Sequence, residues 1–309
     1  MTTDRWRAEN LPVNLITGML GAGKTTLIRQ LLGHAADERW AVLVNEFGEV
    51  GLDGDWLAAS GAQVREVAGG CMGCTAAVAL RVTLNRLIRE TRPTRLLIEP
   101  SGLGHPAELL RLLHDPVYQG VLDIGATLCL IDPRRLGDAR FAQSPLWLQQ
   151  LACADVLVGT RADLWDAAAE QHWQALCAQH PQLPAVRSAH GGLDAAWLAA
   201  PRRPAASAPV FTLSAPLTRW DACGWQLPSG WQVTETALRR WLASFSWERI
   251  KGELAAVGCA GWRLDAVAGE ITLLPLEYRP ASRIQVIVSG TCDWPARQQA
   301  LLACGGGGR

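Results

Sequence analysis

The chain has 309 residues, 49% hydrophobic and 19% charged, with 29 basic and 29 acidic side chains and no formal net charge. That length accommodates two domains and a sizeable core. A balanced charge excludes an electrostatic nucleic-acid or membrane-surface binder, and no uncharged apolar run approaches the ~20 residues that span a bilayer. Residues 1–10 are polar and mixed in charge, unlike a secretory signal, so the expected location is the cytoplasm.

An apolar run at 13–16 suits a buried strand. It leads into G-M-L-G-A-G-K-T-T at 18–26, the G-x-x-x-x-G-K-T pattern of a phosphate-binding P-loop. Leu27, Ile28, Leu31 and Leu32 then recur at helical spacing. Strand, glycine-rich loop and helix are the context this pattern needs. Gly21, Ala22, Gly23, Lys24, Thr25 and Thr26 would turn main-chain N–H groups and a helix N-terminus toward an anion. Lys24 would reach the β- and γ-phosphates, and the Thr25 hydroxyl would sit on Mg²⁺. Composition supports the assignment: the chain has two lysines, Lys24 and Lys251, and otherwise uses arginine.

A second strand-like run, 41–45, opens the glycine-hinged segment N-E-F-G-E-V-G-L-D at 45–53. In a P-loop protein this place suits a switch loop that orders around Mg²⁺ and the γ-phosphate. After a third run at 63–67 comes Cys71-Met72-Gly73-Cys74, which opens a helical pattern over 75–90. Two thiols at C-x-x-C spacing can share Zn²⁺ or Cu⁺, form a reactive disulfide, or serve structure alone. A closed metal site needs further donors, and Glu46 is the nominated carboxylate, with His105 and His114 as alternatives. Zinc or copper suits thiolate ligands, and cobalt stays open.

The run 95–98 ends at Glu99-Pro100-Ser101-Gly102. A strand-terminal carboxylate beside the P-loop strand would hold or orient Mg²⁺ and water, and the Gly102 N–H could face the γ-phosphate. Lys24 and Glu99 are thus the candidate catalytic groups. Asp132, ending the run 126–131, is a second carboxylate of the same kind. Thr160-Arg161-Ala162-Asp163 follows the run 156–159, where GTPases carry N-K-x-D. Asp163 could accept from guanine N1–H and its exocyclic amine. Thr160 replaces the asparagine, and Arg161 could lay its stem over the base. Further helices are expected at 107–114 and 145–154.

Strand–helix alternation predicts an α/β fold, a mainly parallel sheet with helices on both faces, filling residues 1–200. A proline-rich linker at 201–209 then leads to a smaller α+β domain at 210–304, with strands at 210–213, 261–265, 270–274 and 283–289 and a helix at 234–245. Residues 305–309 read as a flexible tail. The nine cysteines are mostly isolated: Cys129, Cys153, Cys177 and Cys259 are expected as small buried hydrophobes, and most of the fourteen tryptophans as core.

Together these motifs resemble the CobW-type family of P-loop GTPases, metal-trafficking proteins with zinc-chaperone members. The resemblance rests on residues 18–26, 45–53, G-C-M-G-C-T at 70–75 and E-P-S-G-L-G-H-P at 99–106. It covers most of residues 11–165, and the second domain more loosely through Lys251-Gly252 and the strand near residue 286. It implies GTP hydrolysis coupled to delivery of a metal, often zinc, to a client protein. The family's C-x-C-C motif has Gly73 in place of its middle cysteine, which leaves one thiolate fewer. No arginine finger is evident within the chain, and no histidine-rich run is present for metal storage. A P-loop kinase or ligase and a thiol-redox or nucleotide-binding regulator are the alternatives. The sequence leaves the client and the oligomeric state open, a homodimer included.

Overall fold

The computed structural model describes residues 8–33, 35, 38–46, 63–68, 74–100, 106–142, 144–203, 220–267 and 269–307. Among them the chain forms two compact units, one ending at residue 203 and one beginning at 220.

The first unit is a seven-stranded sheet. Its strands are β1 (Leu11–Gly18), β2 (Trp40–Glu46), β3 (Gln63–Ala68), β4 (Arg95–Glu99), β5 (Leu122–Ile131), β6 (Val156–Gly159) and β7 (Ala185–Arg187). They lie in the order β3-β2-β4-β1-β5-β6-β7, every pairing parallel. The longer helices are α1 (Lys24–Gly33), α2 (Cys74–Thr91), α3 (Pro106–Leu113), α4 (Pro145–Ala152) and α5 (Ala167–Gln179). A parallel sheet needs cover on both faces, and the side-chain alternation supplies apolar residues to each. Leu27, Ile28 and Leu31 of α1 pack on Ile16, Val42, Leu97 and Leu128. Leu84 and Leu87 of α2 and Leu109 of α3 pack on Val13, Leu15, Leu43 and Ile98 from the other side.

β1 holds one polar residue in this apolar setting. Asn14 is fully buried, its amide donates to Ala126 O at 3.0 Å and Leu198 O at 2.8 Å, and its Oδ1 accepts from Arg95 Nη1 at 2.7 Å. Those bonds offset the cost of burying an amide and tie β4, β5 and the segment near residue 198 to the central strand.

The second unit is antiparallel. β8 (Trp220–Gln226), β10 (Arg249–Ala255), β11 (Gly261–Val267), β12 (Glu270–Leu276) and β13 (Arg283–Ser289) run in the order β12-β11-β10-β13-β8. α6 (Glu235–Leu242) and α7 (Trp294–Cys304) cover one face, with Leu238, Trp241 and Leu301 against Ile250, Leu254, Ile284 and Val286. Residues 305–309, expected as a flexible tail, are partly built into the fold: β14 (Gly306–Gly307) pairs with β9 (Trp231–Gln232). A Cβ at Gly305 would collide with the Trp231 indole, so glycine is needed for the close approach. The expected strand at 210–213 lies outside the described residues.

Trp40, Trp147, Trp173, Trp225, Trp231 and Trp241 are buried, and the other described tryptophans are half-buried, so only part of the expected tryptophan core is fully enclosed. Cys129 is buried too, and burial pushes its thiol up to about 12. Cys153 and Cys177 are half-buried, and Cys259 is exposed in the bend after β10, against expectation. No described helix is long and apolar enough to cross a membrane.

Candidate functional site

The carboxyl ends of β1, β2, β4, β5 and β6 lie along one edge of the sheet, the edge where parallel sheets bind ligands. β1 ends at Gly18 and the chain turns back into α1 at Lys24. Gly18, Gly21 and Gly23 take φ of +141°, +76° and +93°, values that L side chains resist. At Gly18 space is short as well: an added Cβ would stand 2.5 Å from Leu130 O of the paired strand.

Lys24 is 5% exposed. Its Nζ donates to Gly18 O at 2.9 Å and Met19 O at 3.3 Å, folding the ammonium back over the loop. The Thr25 hydroxyl donates to both Glu99 oxygens, at 3.0 and 3.2 Å. β4 lies beside β1, so the end of one strand carries the carboxylate to the helix that starts from the other. The structure thus brings together Lys24, Thr25 and Glu99, residues up to 75 positions apart in sequence (99 minus 24). One hydroxyl and one carboxylate make an all-oxygen donor set, which fits Mg²⁺ rather than a soft ion.

Asp132 does not share this task. It is 2% exposed and caps a 3-10 turn at Pro133–Arg135. Its carboxylate accepts from Arg134 Nε at 3.0 Å and Nη2 at 2.7 Å, with Arg161 Nη1 at 3.5 Å. Two guanidiniums compensate this buried charge. The same turn places Arg135 on the P-loop: Nη1 donates to Leu20 O at 2.7 Å while the guanidinium lies over the Phe141 ring. Sequence reasoning passed over Arg135. Its signal was two arginines just beyond a buried strand's carboxyl end.

At the end of β6, Thr160 is buried and its hydroxyl donates to Ile131 O at 3.1 Å. Arg161 adopts left-handed φ of +55° and turns its guanidinium to Asp132. Asp163 follows in the Ala162–Leu164 turn. Its Oδ1 accepts from His190 N at 3.1 Å, and its Oδ2 lies 3.3 Å from His190 Nδ1. These contacts, led by the main-chain N–H, hold the carboxyl below the usual carboxylate range. His190 was the second residue missed, because the loop after β7 carries no motif the reading used.

Of the thiol site, Cys71 lies outside the described residues, as do Gly102, His105 and residues 47–62. The backbone places Glu46 at the carboxyl end of β2, paired with Ala68 at the end of β3. Cys74 begins α2. Glu46 and Cys74 therefore flank the same sheet edge as Glu99. His114, an alternative donor, has both ring nitrogens engaged, Nδ1 at 2.7 Å from Leu110 O and Nε2 against Arg202 Nη1.

A parallel sheet with a P-loop between its central strand and α1, and a carboxylate from the next strand on the P-loop threonine, defines a P-loop nucleoside-triphosphatase. The family model described as "CobW/HypB/UreG, nucleotide-binding domain" matches residues 12–187, so the chain belongs to the CobW/HypB/UreG family and is a GTPase. It is 39% identical to the zinc chaperone YeiR of Escherichia coli over 317 aligned positions, covering 94% of this chain and 96% of that one. It is 35% identical to the zinc chaperone CobW of a Sinorhizobium species, over 54% of this chain and 55% of that one. Among solved structures, the Zn(II)-bound YjiA GTPase from E. coli is 19% identical with a TM-score of 0.45, covering 96% of this chain and 99% of that one.

Proposed function

We propose that this GTPase is a cytoplasmic metallochaperone that binds a transition metal, zinc first and cobalt next, at Cys71, Cys74 and Glu46 and delivers it to a client metalloprotein. The observation that carries the reading is the sheet edge itself. Glu46, Glu99 and the P-loop end neighbouring strands, so a metal donor at Glu46 would lie on the same sheet edge as the nucleotide. The names of the relatives supply the class of cargo.

In this reading Gly21, Ala22, Gly23 and Thr26 bind phosphates through their main chain. Lys24 exchanges the carbonyls of Gly18 and Met19 for phosphate oxygens, and its buried charge is strongest where charge builds up in the transition state. Thr25 and Glu99 hold Mg²⁺, which when bound neutralises charge on the β- and γ-phosphates. Glu99 also orients the attacking water. Gly102 offers its N–H to the γ-phosphate. Thr160 fixes the end of β6, and Asp163 accepts from the guanine edge. Metal and GTP bind at one sheet edge in this reading, so each changes the other's affinity by the same factor.

The test is a competitive Zn²⁺ titration of the reduced full chain, with and without a non-hydrolysable GTP analogue, repeated on Cys71→Ser. Nucleotide-dependent zinc affinity that vanishes in the variant supports the proposal. Zinc affinity indifferent to both nucleotide and Cys71 refutes it.

A further inference from the structure

The P-loop is held from two sides. The carbonyls of Gly18 and Met19 are taken by Lys24 Nζ, and Leu20 breaks the series. Its carbonyl accepts instead from Arg135 Nη1 at 2.7 Å, and the Arg135 guanidinium lies 5.0 Å from the centre of the Phe141 ring. The side chain of Met19 packs in the same apolar cluster as Phe141, Leu146 and Trp147. Residues 19–20 of the loop thus lean on the segment after β5 through one side chain and one carbonyl. That segment is well anchored. Asp132 is 2% exposed and its carboxylate caps the turn by accepting from Arg134 N at 3.2 Å. Arg135 N and Leu136 N close the turn on Asp132 O and Pro133 O, both at 3.1 Å. Pro133 O also lies 3.3 Å from His172 Nδ1 of α5.

We propose that Arg135 is a positioning residue of the phosphate cradle: by holding Leu20 O it aims the Gly21 N–H at the β-phosphate of GDP and GTP. The proposal rests on the reading of Gly21 as a main-chain phosphate donor. A peptide unit is planar, and in its trans form the C=O and N–H point in opposite directions. The bond from Leu20 to Gly21 is trans, as all described peptide bonds are. Fixing Leu20 O on one side therefore turns the Gly21 N–H away from the guanidinium. Gly21 takes φ of +76°, which lets the chain leave that fixed peptide and still close into α1.

The consequence differs from that of a group that touches the transferred phosphoryl. Main-chain N–H groups of a P-loop cradle the α- and β-phosphates, and the β-phosphate is common to substrate and product. A peptide that is free to rotate weakens GDP and GTP alike, so the loss falls on binding rather than on the chemical step. One hydrogen bond to a carbonyl biases the peptide by about threefold. GMP has no β-phosphate and is expected to bind both forms of the protein equally.

The experiment measures Kd for GDP, GMP and a non-hydrolysable GTP analogue by competition with fluorescent GDP, together with kcat and KM for GTP. The full chain is compared with Arg135→Ala, Arg135→Lys and Lys24→Ala. Arg135→Ala is expected to weaken GDP and the analogue by the same factor of about three, to leave GMP unmoved, and to raise KM rather than lower kcat. Arg135→Lys keeps a cationic donor for Leu20 O and should recover part of that loss. A lysine no better than alanine would assign the effect to packing on Phe141 and overturn the proposal. Three other results also overturn it: unchanged GDP affinity, a loss shared by GMP, or a loss confined to the analogue or to kcat. Lys24→Ala tests the underlying reading separately, and should weaken GDP and the analogue more than Arg135→Ala does. If Lys24→Ala leaves both unmoved, the loop is not the phosphate cradle and the inference falls with that reading. If Lys24→Ala acts and Arg135→Ala does not, the inference alone fails.

Discussion

At one end of the nucleotide site Lys24 is 5% exposed and bonded to the loop it belongs to, and Thr25 lies on Glu99 of the adjacent strand. At the other end Asp163 is held by a histidine whose ring is 83% exposed. The P-loop at the first end is a contiguous motif locked by backbone geometry, completed by one carboxylate from β4. The end proposed for the base is assembled from turns after β5, β6 and β7, and the His190 ring on Asp163 faces solvent. Charge buried in a low-dielectric cradle acts strongly, and charge in water acts weakly. Catalytic power is therefore expected to concentrate at the first end, and adjustable selectivity at the second.

The sharpest way to break this comparison is at Lys24. Lys24→Ala should lower kcat/KM for GTP by roughly a hundred- to a thousandfold, and Glu99→Gln should lower kcat by about a hundredfold. Phosphate release under saturating and limiting GTP separates the two. A loss under tenfold in either would deny the buried end its dominance. Stability should follow the same ranking. Gly18→Ala forces a Cβ against Leu130 O in a strained φ, and a main-chain carbonyl within a sheet cannot yield. A cost of about 3 kcal/mol is expected. Gly191→Ala crowds the Thr26 methyl and otherwise makes ordinary contacts, so about 1 kcal/mol is expected, mainly from φ. Thermal melts of the two variants give the order directly.

Arg135→Ala should have a smaller effect. It releases Leu20 O and loosens the P-loop, so GDP and GTP affinities should fall by the same factor of about three. A loss confined to GTP would instead make Arg135 a γ-phosphate contact. Smallest of all should be the response of the core thiols. Cys129 and Cys153 are pushed up to about 12 and about 11 by burial. Iodoacetamide at pH 7.5 should leave both unlabelled until the chain unfolds, because the thiolate forms only well above that pH. Labelling of the folded chain at Cys129 would show that the unit opens locally.

The parallel sheet was legible because its strands are short apolar runs that end at motif residues. β6 begins and ends where the pattern put it, and β1 runs two residues beyond the pattern at each end, 11–18 against 13–16. β7 was missed: three residues, half-exposed, carry too little apolar signal. α5 and α7 were missed for a related reason. α7 mixes Arg, Gln and Leu around its circumference with little amphipathic contrast, and what marks it is the Asp293 cap on Ala296 N. The Thr25–Glu99 contact follows once β4 is set beside β1. The Arg134–Asp132 pair and the His190–Asp163 pair did not follow. A charged side chain declares its type in sequence but not its partner.

By itself the sequence determined the P-loop, the alternation that makes a doubly covered parallel sheet, and the types of chemical group available. These are local properties, since glycine φ values, apolar periodicity and donor identity need few neighbours. Only the tertiary structure decided which carboxylate meets Thr25. Glu99 and Asp132 both end buried strands, yet two guanidiniums claim Asp132 and leave Glu99 on the threonine hydroxyl. It likewise decided that the loop after β7 returns to put the His190 main-chain N–H on Asp163. Such choices depend on strand order and on where loops return, which are set by the packing of the whole sheet rather than by any one segment.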